Sequence, residues 1–245
     1  MKSWRAAFLV LALSARSPLF AQASRTGVSV PFVGCASYGQ VEKLEAPKGT
    51  SRLVPIGSDE AGALAYYGSA DGLGSLAPRD WHCEGVSGSD GSTLYIAPET
   101  IDLLTWQGLD GPVVQISRVS GETSGRYEVA EILVRVFPGF RAVGRETLES
   151  MDLPFPAGPY PHDTLTRRGP KIVEYSTPAR RVGLGNSNSW IGKNDLPIRG
   201  AAVVLDDPRV AVPDVLLLSV RLPPASAGLI SAIVGQFERD SFIQR

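Results

Sequence analysis

The side chains of this sequence that could do chemistry gather in three places. Arg79-Asp80-Trp81-His82-Cys83-Glu84 is the densest. Its arginine could hold a carboxylate through two parallel hydrogen bonds, and its tryptophan could stack on a sugar ring or a peptide side chain. His82 is a candidate general base. The competing reading is that Trp81 packs over a disulfide while Arg79 and Glu84 are solvated. Tyr160-Pro161-His162-Asp163 is the second place. A histidine beside a carboxylate can serve as a base, yet neighbours in an extended segment point apart, so Asp163 need not orient His162. A surface histidine is the alternative. The third is the loop from Arg180 to Trp190, with Gly183, Gly185, Asn186, Ser187, Asn188 and Ser189. Its glycines let a backbone approach a ligand, Asn186 and Asn188 offer hydrogen bonds, and Trp190 offers a flat apolar face. A plain surface loop is the competing reading.

Other catalytic grammar is missing from the sequence. Gly85-Val86-Ser87-Gly88 and Gly185-Asn186-Ser187-Asn188-Ser189 both miss G-x-S-x-G, so a nucleophile elbow is not supported. There is no Walker-type phosphate loop and no H-E-x-x-H. Two histidines and two cysteines leave a zinc site short of ligands, and Asp206-Asp207 with Asp214 lacks the spacing of a calcium loop. No cofactor and no metal is expected.

The segment 1–23 decides the compartment. Lys2 and Arg5 precede an apolar run from Ala6 to Ala15, and Ala21-Gln22-Ala23 fits a signal-peptidase site. This is the pattern of a secretory leader, with an apolar part too short to span a bilayer as a mature helix. The remainder, 24–245, suits one domain. Three of the 24 bases (Lys2, Arg5, Arg16) and none of the 25 acids lie in the leader, so the remainder is net acidic by four. No basic cluster favours nucleic acid, and no later run is long enough for a membrane span. In an oxidising compartment two cysteines most simply make one disulfide, Cys35 to Cys83. A lipidated Cys35 is disfavoured by Phe32 and by the polar stretch from Ser24 to Gly27, and a catalytic cysteine would need a free thiolate.

The elements that must position these groups read as follows. Val28, Val30 and Phe32 alternate as a strand, and Ala46-Pro47-Lys48-Gly49 is a turn. Ser58-Asp59-Glu60 opens a helix expected to run to Tyr67 and stop at Gly68. Residues 68–92 read as glycine-rich loop and short strand. Thr93 to Ile96 is a strand, Pro98 to Trp106 a short helix, and Val113 to Val119 a strand. Val129, Ile132, Leu133, Val136 and Phe137 share one helical face, with Ser124 as the expected cap and Pro138-Gly139 as the stop. The proline-rich segment 151–163 is the best place for an internal boundary. Lys171 to Tyr175, Ala201 to Leu205 and Val215 to Val220 are strands, the last two an antiparallel pair. Leu229, Ile230, Ile233, Val234 and Phe237 mark a C-terminal helix. Strands and helices do not alternate regularly, so the expected class is α+β with a mostly antiparallel sheet and packed helices, in a single compact domain, rather than a doubly wound fold.

In Cys35, Pro78-Arg79-Asp80-Trp81-His82-Cys83 and Gly88-Ser89-Asp90-Gly91-Ser92 the chain resembles a group of uncharacterised exported bacterial proteins. Tyr175-Ser176-Thr177-Pro178-Ala179, Gly183-Leu184-Gly185 and Ser219-Val220-Arg221-Leu222-Pro223-Pro224 are similar to the same group. The likeness extends over most of the sequence after the leader. It implies export and an undivided unit, and no activity.

The sequence therefore leads to a periplasmic or secreted protein of the cell envelope. The favoured function is non-enzymatic binding of an envelope component or small ligand, through a groove near Trp81 and the loop 180–190. The rival is a hydrolase of an envelope polymer with His162 or His82 as base.

Overall fold

The computed structural model describes residues 27–102, 108–187, 189–205 and 207–243. The expected leader 1–23, the end of the helix expected from Pro98 to Trp106, Asn188 and Asp206 lie outside them. Among the described residues the strands are β1 Val28–Cys35, β2 Ser37–Tyr38, β3 Lys43–Leu44, β4 Ser51–Val54, β5 Leu64–Ser69, β6 Gly74–Pro78 and β7 His82–Gly88. They continue as β8 Gly91–Ala97, β9 Val113–Val119, β10 Thr164–Arg167, β11 Ile172–Thr177, β12 Ile198–Leu205 and β13 Asp214–Arg221. The helices are α1 Ser58–Ala63, α2 Arg126–Val136, α3 Arg141–Glu149 and α4 Ile230–Ile243.

The class is α+β, built on two sheets. The larger runs β10-β11-β12-β13-β9-β8-β7-β2-β3 and the smaller β4-β1-β5-β6. Both are mixed. β1 runs parallel to β5 and β2 parallel to β7, while β11, β12, β13, β9, β8 and β7 pair antiparallel in succession. Against the expectation of one mostly antiparallel sheet, the chain divides its strands between two. The reason is β1. After Cys35 the chain leaves the small sheet and, past Ala36, enters the large one as β2.

Strand alternation sets the layers, since successive side chains face opposite sides of a sheet. Leu94, Ile96, Val114, Ile116, Ala201, Val203, Leu216 and Leu218 face the small sheet and α4, and form one core with Leu64, Leu76, Ile233 and Phe237. Each such side chain withdrawn from water contributes roughly 1.5–3 kcal/mol before entropy is counted. On the other face Val113, Val119, Val173, Ala202, Val204 and Leu217 pack with Val129, Ile132, Leu133 and Val136 of α2. The helical spacing read from the sequence delivers that apolar face of α2. The proline-rich segment 151–163 links α3 to β10, and Tyr160 within it is buried in this second core.

Several expectations need correcting. The helix expected from Ser58 to Tyr67 ends at Ala63, and Leu64 to Tyr67 are strand. All four of these side chains are buried in the first core, β5 being the inner strand between β1 and β6 whose backbone both neighbours satisfy. The stretch 68–92 is mainly strand, containing β6, β7 and the start of β8. Its glycines belong to hairpins: Gly91 adopts φ 142°, and a side chain there would collide with the carbonyl of Arg118. Residues 98–102 are not helical. Ser124 does not cap α2; Gly125 occupies that position, and the Ser124 hydroxyl lies 2.9 Å from that of Ser89.

The expected disulfide is present. Cys35 of the small sheet and Cys83 of the large sheet are bonded, with Cα atoms 5.5 Å apart. It clamps the two sheets next to the point where the chain crosses between them, and it is consistent with an oxidising compartment.

Candidate functional site

A cavity of about 560 Å³ lies on the face of the large sheet that also packs α2. Its floor comes from β8, β9 and β13, with the polar Thr93, Gln115, Ser117 and Ser219 at its middle and Val119 and Leu217 beside them. Alternation explains the placement, because the intervening residues Leu94, Val114, Ile116 and Leu218 turn to the opposite, aliphatic core. Gln115 and Ser117 are 6% exposed and Ser219 3%, so the central strands bury a row of polar groups. Such groups need hydrogen-bond partners. Thr93 Oγ1 donates to Ser117 Oγ at 3.0 Å, and Gln115 Nε2 donates to the same oxygen at 2.9 Å. Ser219 Oγ lies 2.7 Å from the Tyr175 hydroxyl, which also donates to the Leu218 carbonyl at 2.8 Å. Gly200 opposite Tyr175 leaves room for that ring, since a side chain there would meet the Tyr175 hydroxyl.

The wall is aromatic. Tyr95 of β8 and Trp190 stack with centroids 5.4 Å apart and planes 13° from parallel, and Tyr38 lines the same space. Burial pushes the Tyr95 hydroxyl well above its usual pKa. Leu184, Gly185, Ser187 and Ser189 of the same loop complete that side.

Acids mark one end of the cavity. Asp90, in the β7–β8 turn, and Glu128, in the first turn of α2, both line it. Burial, followed by the nearby charges of Asp90 and Glu131, pushes the Glu128 carboxyl up to about 7. Arg118 lines the cavity too, but its guanidinium is paired with Asp214 at 2.6 Å.

The Trp190 loop is held at many points. Leu109 and Ile191 form a bridge, with Leu109 N–H donating to the Trp190 carbonyl at 2.8 Å and Gly192 N–H to Leu109 at 3.1 Å. Beneath it Arg221 is fully buried. Its guanidinium donates to the carbonyls of Gly111 at 2.8 Å, Gly192 at 2.6 Å and Leu109. Burial lowers the Arg221 pKa, with Asp110 opposing the shift. At the other end of the loop Asp163 Oδ2 accepts the Leu184 N–H at 2.7 Å.

The residues singled out from the sequence are distributed as follows. Trp190 is in the cavity wall. Asn186 turns into its own loop, accepting from Gly183 N–H at 2.9 Å and donating to the Arg181 carbonyl at 3.0 Å. Asp163 anchors that loop, and burial raises its pKa. His162 is exposed and outside the cavity lining, in a neighbouring depression with Arg181 and Lys193 that shares Ser187 with the cavity. His82 is exposed at the start of β7. Arg79 braces the α1–β5 junction by donating to the carbonyls of Leu64 at 3.1 Å and Ala61 at 2.7 Å. Trp81 and Cys83 pack against the same core, and Trp81 N–H donates to the Tyr67 hydroxyl at 3.1 Å. Trp81 and the loop 180–190 therefore do not share one groove.

Sequence reasoning missed Gln115, Ser117, Thr93, Ser219 and Glu128. A signal existed: Gln115 and Ser117 interrupt Val113-Val114-Gln115-Ile116-Ser117 at period two, which marks one polar face on a central strand. Among the described residues no three His, Cys, Asp or Glu side chains gather as a metal site, and no helix is long and apolar enough to cross a membrane. No family model, curated protein or solved structure matches the chain.

Proposed function

We propose that the chain is a cell-envelope binding protein, periplasmic or secreted, whose cavity on the large sheet takes a small ligand. The observation that carries this reading is the row of buried Gln115, Ser117 and Ser219 with half-buried Thr93 facing open space, while Leu94, Val114, Ile116 and Leu218 beside them turn to the aliphatic core behind. Polar side chains in the middle of a sheet cost stability unless they serve a ligand or one another, and a concave site with a few convergent polar groups and an aromatic wall is the ordinary form of a ligand pocket. The leader pattern, the disulfide and the resemblance to exported bacterial proteins support the location. Binding is favoured over hydrolysis because His82 and His162 are both exposed and lie outside the cavity lining.

The test is an NMR titration of the purified protein with soluble wall sugars, muropeptides and amino acids. Amide shifts gathered on Thr93, Gln115, Ser117 and Trp190, and lost in Ser117→Phe, are expected. Shifts centred on 160–162, or none across the panel, would overturn the cavity as the site.

A further inference from the structure

We propose that the ligand of this cavity is an amine-bearing polyhydroxy ring, the chemistry of an amino sugar with a free ammonium group. The inference rests on the cavity-binding reading and adds the class of ligand. Three independent features of the lining converge on it.

The first is a buried donor. Ser117 Oγ accepts hydrogen bonds from Thr93 and Gln115 and donates to no described group, although the residue is only 6% exposed. A buried hydroxyl whose proton has no acceptor inside the protein is aimed at an acceptor oxygen in the cavity it lines. Sugar hydroxyls supply such oxygens.

The second is charge. The ionisable acids and bases lining the cavity are Asp90, Glu128 and Arg118. Arg118 is neutralised by Asp214, through Nε at 2.7 Å and a second nitrogen at 2.6 Å. Glu131, which adds to the field at Glu128, is itself paired with Arg135 at 2.8 Å. Asp90 and Glu128 have no cationic partner among the described residues, so an anion is repelled from this end and an ammonium is drawn to it.

The third is the wall. Tyr38, Tyr95 and Trp190 offer aromatic surface to the C–H face of a ring and to a nearby ammonium. Glu128 lies within the first turn of α2 and Trp190 on the loop, so acid and aromatic surface reach the cavity from different elements over one polar floor.

Calorimetric titration with glucosamine and with glucose at pH 7 tests the class. Glucosamine is expected to bind about tenfold or more tightly than glucose, one decade corresponding to a single partly screened charge pair. Glu128→Gln should bring the two sugars within about twofold of each other, and Ser117→Ala should weaken both alike. Asp90→Asn, at an exposed turn, provides a second charge variant should Glu128→Gln fold poorly. Equal affinities in the wild type, or a preference that survives both charge variants, would overturn the ammonium assignment and leave the cavity reading standing. Absence of binding by both sugars at roughly tens of millimolar would overturn the ligand class, since that corresponds to almost no interaction. The NMR panel then decides the cavity reading separately.

Discussion

Ser189 donates its hydroxyl proton to the side-chain oxygen of Gln115 at 2.7 Å, tying the loop that carries Trp190 to the middle of the large sheet. The same Ser189 oxygen accepts the Ile191 N–H at 3.0 Å, so one small side chain orients the loop and fixes the amide of Gln115. With its oxygen held by Ser189, Gln115 points its NH₂ group toward Ser117.

Ser189→Ala removes both bonds and leaves a buried amide oxygen without its donor. We expect a loss of about 1 kcal/mol in urea unfolding. We also expect a red shift of tryptophan fluorescence as Trp190 loosens from Tyr95. Unchanged fluorescence and unchanged midpoint together would mean that the loop is held without this bond.

Arg221 makes a stronger demand. Its guanidinium satisfies carbonyls of Leu109, Gly111 and Gly192 at a fully buried site. Arg221→Met keeps much of the volume and leaves those carbonyls without donors. A cost of about 3 kcal/mol or more is expected, with Arg221→Lys intermediate because an ammonium lacks the planar fork. Hydrogen exchange at Leu109 and Gly192 should accelerate more than at β12. Uniform acceleration across the sheet would show that Arg221 supports global stability without a special hold on the loop.

How much of this was legible in the sequence depended on whether a residue's neighbours in space were also its neighbours in the chain. The apolar face of α2, the pair β12–β13 and strand β9 follow from local periodicity, and their buried residues are where the spacing placed them. Leu64-Ala65-Tyr66-Tyr67 was misread because a run buried on both faces has no period, and only its pairing with β1 and β6 makes it strand. α3 went unread because it buries only Gly144, Thr147 and Leu148, too few apolar side chains to show a period; a side chain at Gly144 would meet the Ala130 carbonyl of α2. The candidate site was half legible. Trp190 stood out by type, but Gln115 and Ser117 of β9, Ser219 of β13 and Glu128 of α2 belong to three separate segments that only the fold brings together. Asn186 and Arg79 carry suggestive side chains that the fold uses on its own backbone.

The Cys35–Cys83 bond closes a separation of 48 residues and joins the two sheets. Replacing both cysteines with serine is expected to cost about 4 kcal/mol in the chain-entropy picture. For a chain of this size that lowers the melting temperature by about 10 °C. A reductant should shift wild-type melting in the same direction and leave the double variant unmoved. Coincident melting of wild type with and without reductant would mean that the bond is not formed in the isolated protein.

Glu128 links stability to pH through the cavity. Its folded carboxyl titrates at about 7 against an ordinary value of 4.5, raised by burial and by Asp90 and Glu131, with Arg118 and Arg135 already engaged by Asp214 and Glu131. A carboxyl raised in the folded state contributes stability that is complete below its unfolded value and is lost as pH climbs through the folded one. Wild type should therefore lose of order 2 kcal/mol relative to Glu128→Gln between pH 4.5 and pH 7.5, the figure reduced for the solvent that still reaches the group. Comparing the two proteins at each pH cancels every other titration they share. An ammonium ligand acts in the opposite sense, because it favours the ionised carboxylate. Glucosamine at pH 7.5 should restore part of the loss in wild type and do little for Glu128→Gln. Parallel pH profiles for the two proteins would show that Glu128 is solvated enough to titrate normally, and would remove the electrostatic basis for cation selection at this end of the cavity.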